Sequence, residues 1–66
     1  MQLYINGEAR RFDQADSVAD LIESLGLAGR RIAVEVNEAI VPRTRHATTT
    51  LNEGDRVEIV HAIGGG

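Results

Sequence analysis

Residues 1–26 read MQLYINGEARRFDQADSVADLIESLG, and within this stretch the apolar period changes from two to about 3.6. Gln2-Leu3-Tyr4-Ile5 alternates as a half-buried strand does, and Asn6-Gly7 follows it. Asn-Gly is the strongest short hairpin signal, because a type I′ turn needs positive φ at both central positions. A weaker second strand runs from about Ala9 to Asp13, with Phe12 as its main apolar residue. Ser17 then offers an N-cap, and Asp20 three residues later completes a capping-box pattern at the positive end of a helix dipole. Val18, Leu21, Ile22 and Leu25 fall on one stripe of a helix of about nine residues, and Gly26 is placed to stop it. A helix this short does not persist alone in water, so it must lie on a sheet.

Beyond the helix, Ile32-Ala33-Val34-Glu35-Val36-Asn37 gives a strand with Ile32, Val34 and Val36 on one face. Ile40-Val41 is a short extended pair ended by Pro42, which suits a sheet edge because proline cannot donate to a ladder. Arg43 to Thr50 has no period and is expected to form a turn or a 3₁₀ segment, with Leu51 tied to the core. Glu53-Gly54-Asp55 turns into a last strand from Arg56 to Ile63, where Val57 and Ile59 face inward and Val60 and Ala62 face outward. The order is hairpin, helix, strand, short edge strand, final strand. This predicts an α+β layer: a mixed sheet of four to five strands with one main helix on one face, the β-grasp or ubiquitin-like pattern. The strand after the helix could pair in parallel with Met1–Ile5, and the last strand is expected beside the first near the middle of the sheet. The domain spans residues 1–63, and residues 64–66 form a glycine tail.

Composition removes several function classes. Sixty-six residues make one small domain, and its 42% apolar content has to hold it. There is no cysteine, hence no disulfide framework, no thiolate metal site and no redox motif. Two histidines, His46 and His61, cannot alone supply the four ligands of a structural zinc. The net charge is −3, and all seven basic residues are arginine, so a general nucleic-acid surface is not expected. The pairs Arg10-Arg11 and Arg30-Arg31 read as solvated edges. With no lysine, the chain has no ε-amine to accept an isopeptide bond. No stretch approaches the ~20 apolar residues of a membrane span, and Met1 leads straight into a strand pattern, so the expected compartment is the cytoplasm.

No internal site for chemistry emerges. Thr44, Thr48, Thr49 and Thr50 surround His46, but they lie in a stretch with no nucleophile turn and read as loop-capping residues. The acidic pairs Glu35/Glu38 and Glu53/Asp55 lack metal-ligand spacing. His61 reads as an edge or packed histidine. No residue is assigned a catalytic or metal-binding role, and an enzyme is not expected. What remains is Gly64-Gly65-Gly66. Glycine can extend, turn and enter a channel too narrow for other residues. Three such residues reach up to roughly 10 Å beyond the last strand. A carboxylate on Gly66 would be inert until its oxygen is made a leaving group, for example by adenylation with ATP. Tyr4, Val60 and Ala62 share the sheet face away from the helix by strand parity, and an exposed apolar patch on so small a domain suggests a partner surface.

Val36-Asn37-Glu38-Ala39-Ile40-Val41-Pro42-Arg43, Leu51-Asn52-Glu53-Gly54-Asp55-Arg56-Val57-Glu58-Ile59 and the glycine end together resemble the thiamine-biosynthesis sulfur carrier family, ThiS. The resemblance covers essentially the whole chain. The Gly-Asp turn and the glycine end are also shared with the molybdopterin-synthase small subunit, whereas Val41-Pro42-Arg43 favours the thiamine type. Gly64 goes beyond the family's paired glycines and is assigned length rather than chemistry. The resemblance implies that an E1-like adenylating enzyme (ThiF type), supplying ATP and magnesium, activates Gly66. A cysteine-desulfurase route then converts it to a thiocarboxylate, and thiazole synthase (ThiG type) receives the sulfur. On that reading Gly65 and Gly64 thread the tail, and this chain binds no cofactor of its own. A carrier for another acceptor, and a β-grasp binding module with an inert tail, are the alternatives.

Overall fold

The computed structural model describes residues 1–61. Ala62 and Ile63 of the expected last strand and the Gly64–Gly66 tail lie outside the described residues. Five strands, β1 (Gln2–Ile5), β2 (Glu8–Arg11), β3 (Ile32–Val36), β4 (Ala39–Val41) and β5 (Arg56–His61), form one sheet in the order β2-β1-β5-β3-β4. One helix, α1 (Val18–Ser24), connects β2 to β3. The mixed sheet and single helix are those of a β-grasp fold.

Local chemistry explains most of the elements. Asn6 and Gly7 take φ of 51° and 87°, and Ile5 lies opposite Glu8, as a two-residue type I′ hairpin requires. Ser17 caps α1 in a full capping box: its hydroxyl accepts from the Asp20 N–H, and the Asp20 carboxylate accepts from the Ser17 N–H. At the other end Gly26 has φ of 74°; its N–H donates to Glu23 O and that of Leu27 to Ile22 O, the paired bonds of a Schellman stop. The segment after β4 contains a 3₁₀ turn at Arg43–Arg45, and its role is to complete the helix start. Val18 N–H donates to Thr49 O and Ala19 N–H to His46 O, supplying partners that the first helical turn lacks. Thr48 and Thr49 hydroxyls donate to Arg45 O, and His46 Nε2 lies 3.1 Å from Val41 O, so these polar groups hold a loop.

The core is one cluster. Val18, Leu21 and Ile22 from α1 meet Leu3 and Ile5 of β1, Val34 of β3, Val41 of β4 and Val57 and Ile59 of β5, with Ala15 and Leu51 closing the ends. Burying a side chain such as Leu21 contributes about 1.5–3 kcal/mol, which a domain with no staples requires.

One expected pairing is different. β3 does not pair with β1; the parallel neighbour of β1 is β5, in register Tyr4 with Arg56 and Ile5 with Val57. β3 runs antiparallel to β5 on its other side, from Ile32 opposite His61 to Val36 opposite Val57. Both β3 and β5 have an apolar inner face, and only one can be central. β5 takes that position because Asn6 and Asn37, at the ends of β1 and β3, both hydrogen-bond to it. The second strand is Glu8–Arg11 rather than Ala9–Asp13, and Phe12 follows it, packed against the core with the Arg10 guanidinium 5.7 Å from its ring centre.

Candidate functional site

The sheet has one face under α1 and one face open. On β1 the inward residues are Leu3 and Ile5, leaving Tyr4 outward; on β5 they are Val57 and Ile59, leaving Arg56, Glu58 and Val60 outward. Tyr4 is 38% and Val60 59% exposed, so both expected partner-surface residues are where parity placed them. Ala62 lies outside the described residues. The two are not neighbours. Tyr4 stands beside Arg56 and Val60 beside Ala33, with Glu58 between them along β5.

The open face carries more than the sequence indicated. Ile40 on the edge strand is 75% exposed and lies opposite Glu35. Glu35 in turn lies opposite Glu58. Two carboxylates thus stand side by side in the middle of the face, a cross-strand arrangement that is ordinarily unfavourable. Gln2 extends the face, its amide donating to the Tyr4 hydroxyl at 3.3 Å. Tyr4, Arg56, Glu58 and Glu38 line a shallow groove near the Asn6-Gly7 turn. The face is therefore a mosaic: exposed Tyr4, Ile40 and Val60 arranged around a charged centre.

β5 runs through the centre of the sheet and ends at His61, the last described residue. His61 lies opposite Ile32, at the end of β5 away from the Gly54 turn. His61 is exposed and shares a groove with Arg10, Leu25 and Leu27. The described residues contain no group of three or more His, Cys, Asp or Glu side chains able to hold a metal ion. No helix among them is long and apolar enough to cross a membrane.

The ThiS family model matches residues 3–66. The chain belongs to the ThiS family. A protein named sulfur carrier protein ThiS from Escherichia coli is 30% identical over 66 residues, which cover all of both chains. The crystal structure of thiamine biosynthesis protein ThiS from Geobacter metallireducens superposes with a TM-score of 0.85 at 33% identity, again over the whole of both chains. A protein named thiazole synthase from Paramagnetospirillum magneticum is 47% identical over 66 residues, and the chain spans only 20% of its length. The ThiS matches run over the whole chain, the described fold and the glycine end of the sequence together. The thiazole synthase match shows that a domain like this one also occurs within a much longer polypeptide.

Proposed function

We propose that this ThiS-family chain is a sulfur carrier in thiamine biosynthesis, with the Gly66 carboxylate as the atom group that is charged. An E1-like adenylating enzyme, with its own ATP and magnesium, would join the carboxylate oxygen to the α-phosphate and release pyrophosphate. A persulfide from a cysteine-desulfurase route would displace AMP to give an acyl disulfide, and a thiol would cleave its S–S bond, leaving a disulfide and the thiocarboxylate that thiazole synthase takes up. Nothing on the chain competes with this: without cysteine it cannot carry a persulfide, and without lysine it cannot be tagged through a side chain. The observation that carries the reading is the family match through residue 66, over a fold whose central strand leads to the glycine tail. Gly65 and Gly64 serve to thread that tail, and Tyr4, Val60 and Ala62 belong to the docking face.

Intact-mass measurement tests it. Incubation with the adenylating enzyme, ATP, magnesium and a sulfur source should replace one oxygen by sulfur, and deletion of Gly66 should abolish the change. Reconstitution with thiazole synthase against molybdopterin synthase's large subunit identifies the acceptor, which should be the former. The long relatives named thiazole synthase favour one further reading, in which a domain of this kind is joined to the enzyme it serves. A Gly66 in peptide linkage has no carboxylate to adenylate, so the mass of the protein isolated from its own cells separates the two.

A further inference from the structure

Arg30 and Arg31 immediately precede Ile32, the residue opposite His61, so both stand at the end of the sheet where β5 finishes. Arg43 joins them from the far side of β4: its Nη2 donates to the Arg30 carbonyl at 3.0 Å. All three are exposed. Arg30 and Arg43 line a groove together with Leu27, Ile32, Ala47 and Glu23 of the helix, and Arg31 precedes Ile32 beside it. A second groove, lined by His61 itself, includes Arg10. The opposite end of β5 has the reverse sign. Asp55 precedes Arg56, Glu53 accepts from the Gln2 N–H, and Glu38 follows the Asn37 turn that binds Asp55. A chain with a net charge of −3 has thus placed three of its seven arginines at the end of the sheet where β5 finishes.

Fold stability does not require this. Among the described residues, Arg43 alone of the three makes a side-chain hydrogen bond, and it goes to the backbone of Arg30. Like charges brought together repel, whereas a partner of opposite sign would relieve that repulsion and accelerate encounter. Whatever enzyme takes the residues beyond His61 into a channel must place the channel mouth against this end of the sheet. We infer that Arg30, Arg31 and Arg43 form a basic collar that seats on an acidic protein surface, the rim of the channel through which a partner enzyme receives the tail. The inference rests on the carrier reading and adds to it the chemistry of the partner's rim. The collar orients the tail before the open sheet face engages, because charge acts at a range that apolar contact does not.

The test uses the full chain and its adenylating enzyme with ATP, measuring association rate and thiocarboxylate yield at several salt concentrations. The double variant Arg30→Glu/Arg31→Glu should associate about tenfold more slowly at low salt, with a weaker salt dependence than wild type. Arg45→Glu, in the 3₁₀ turn and outside the groove lined by Arg30 and Arg43, should behave as wild type. Thermal unfolding of the double variant should match wild type, which excludes misfolding as the cause. Equal rates for wild type and double variant, with thiocarboxylate formed by both, would overturn the collar and leave the carrier reading standing. Absence of thiocarboxylate on the wild-type chain would overturn the carrier reading itself, and the collar with it. Retention of the wild-type chain on duplex DNA, lost in the double variant while enzyme association is unchanged, would reassign the patch to nucleic acid.

Discussion

The Asn6 side chain and the backbone of Ile59 exchange two hydrogen bonds, Nδ2 donating to the Ile59 carbonyl at 3.1 Å and Oδ1 accepting from its N–H at 2.8 Å. Asn6 N–H also donates to Val57 O at 2.9 Å. A turn residue at φ 51° has thereby taken the place of another strand residue beside β5. Asn37, at φ 50°, does the same from the other side: its N–H donates to Arg56 O and its Oδ1 accepts from Arg56 N–H.

Asn6→Ala should therefore cost more than a turn substitution normally does. It leaves two part-buried backbone groups of Ile59 without partners and puts an alanine in the left-handed region, together about 2 kcal/mol. In a domain of this size that lowers Tm by roughly 8–16 °C. Asn6→Asp keeps the acceptor and should lose less. A thermal shift below about 2 °C for Asn6→Ala would show that the side chain is not acting as a strand.

Ser17→Ala removes the acceptor for the Asp20 N–H and should cost about 1 kcal/mol in urea unfolding. Asp20→Ala should show a comparable loss, since Asp16 and Ser17 N–H both donate to its carboxylate. The double variant should lose less than the sum, because the two side chains form one reciprocal cap.

Glu38 sits at φ 72° in the β3–β4 turn, where an L-residue carries a strain of roughly 1–2 kcal/mol. Glycine relieves that strain but adds about 0.5–1 kcal/mol of backbone entropy. Glu38→Gly should stabilise the domain by about 0.5 kcal/mol, and Glu38→Val should destabilise it, both read from urea midpoints.

Glu58→Lys converts the like-charge pair with Glu35 into an opposite-charge pair on the open face. Stability should rise by a few tenths of a kcal/mol at low salt, and the gain should shrink as salt is added. A gain that persists in molar salt would point to packing instead of charge.

Tyr4→Asp and Val60→Asp each put a charge on the open face without touching the core. Thiocarboxylate formation at limiting chain concentration should fall by at least tenfold, as expected for loss of an apolar contact at the centre of an interface. Unchanged unfolding temperatures must accompany that loss. Full activity in both variants would remove this face as the docking surface.

Where the fold depends on neighbours in the chain, the residues announced it. Asn6-Gly7, Ser17 with Asp20, and Gly26 each act through a local dihedral or a bond within four residues. The second hairpin was not legible, because Asn37-Glu38 adopts the same turn as Asn6-Gly7 without a glycine to mark it. The partner of β1 was ambiguous because β3 and β5 have the same inward alternation, and the deciding contacts come from two side-chain amides. The work of residues 43–50 was hidden because it is done by carbonyl oxygens of His46 and Thr49, which leave no side-chain signature. Parity was enough to place Tyr4 and Val60 on the open face. Ile40 and the Glu35–Glu58 pair, by contrast, come together only through register across three strands.

On the carrier reading, an enzyme that gripped the chain beyond His61 would also pull on it. The last described strand, β5, is bonded along β1 on one side and β3 on the other, with Asn6 and Asn37 as extra clasps. Tension applied beyond His61 would load those bonds together, in shear, instead of opening them one by one as peeling an edge strand would. The domain is thus built as a handle: load applied at its last described strand is shared across the sheet and does not unravel the body from that end.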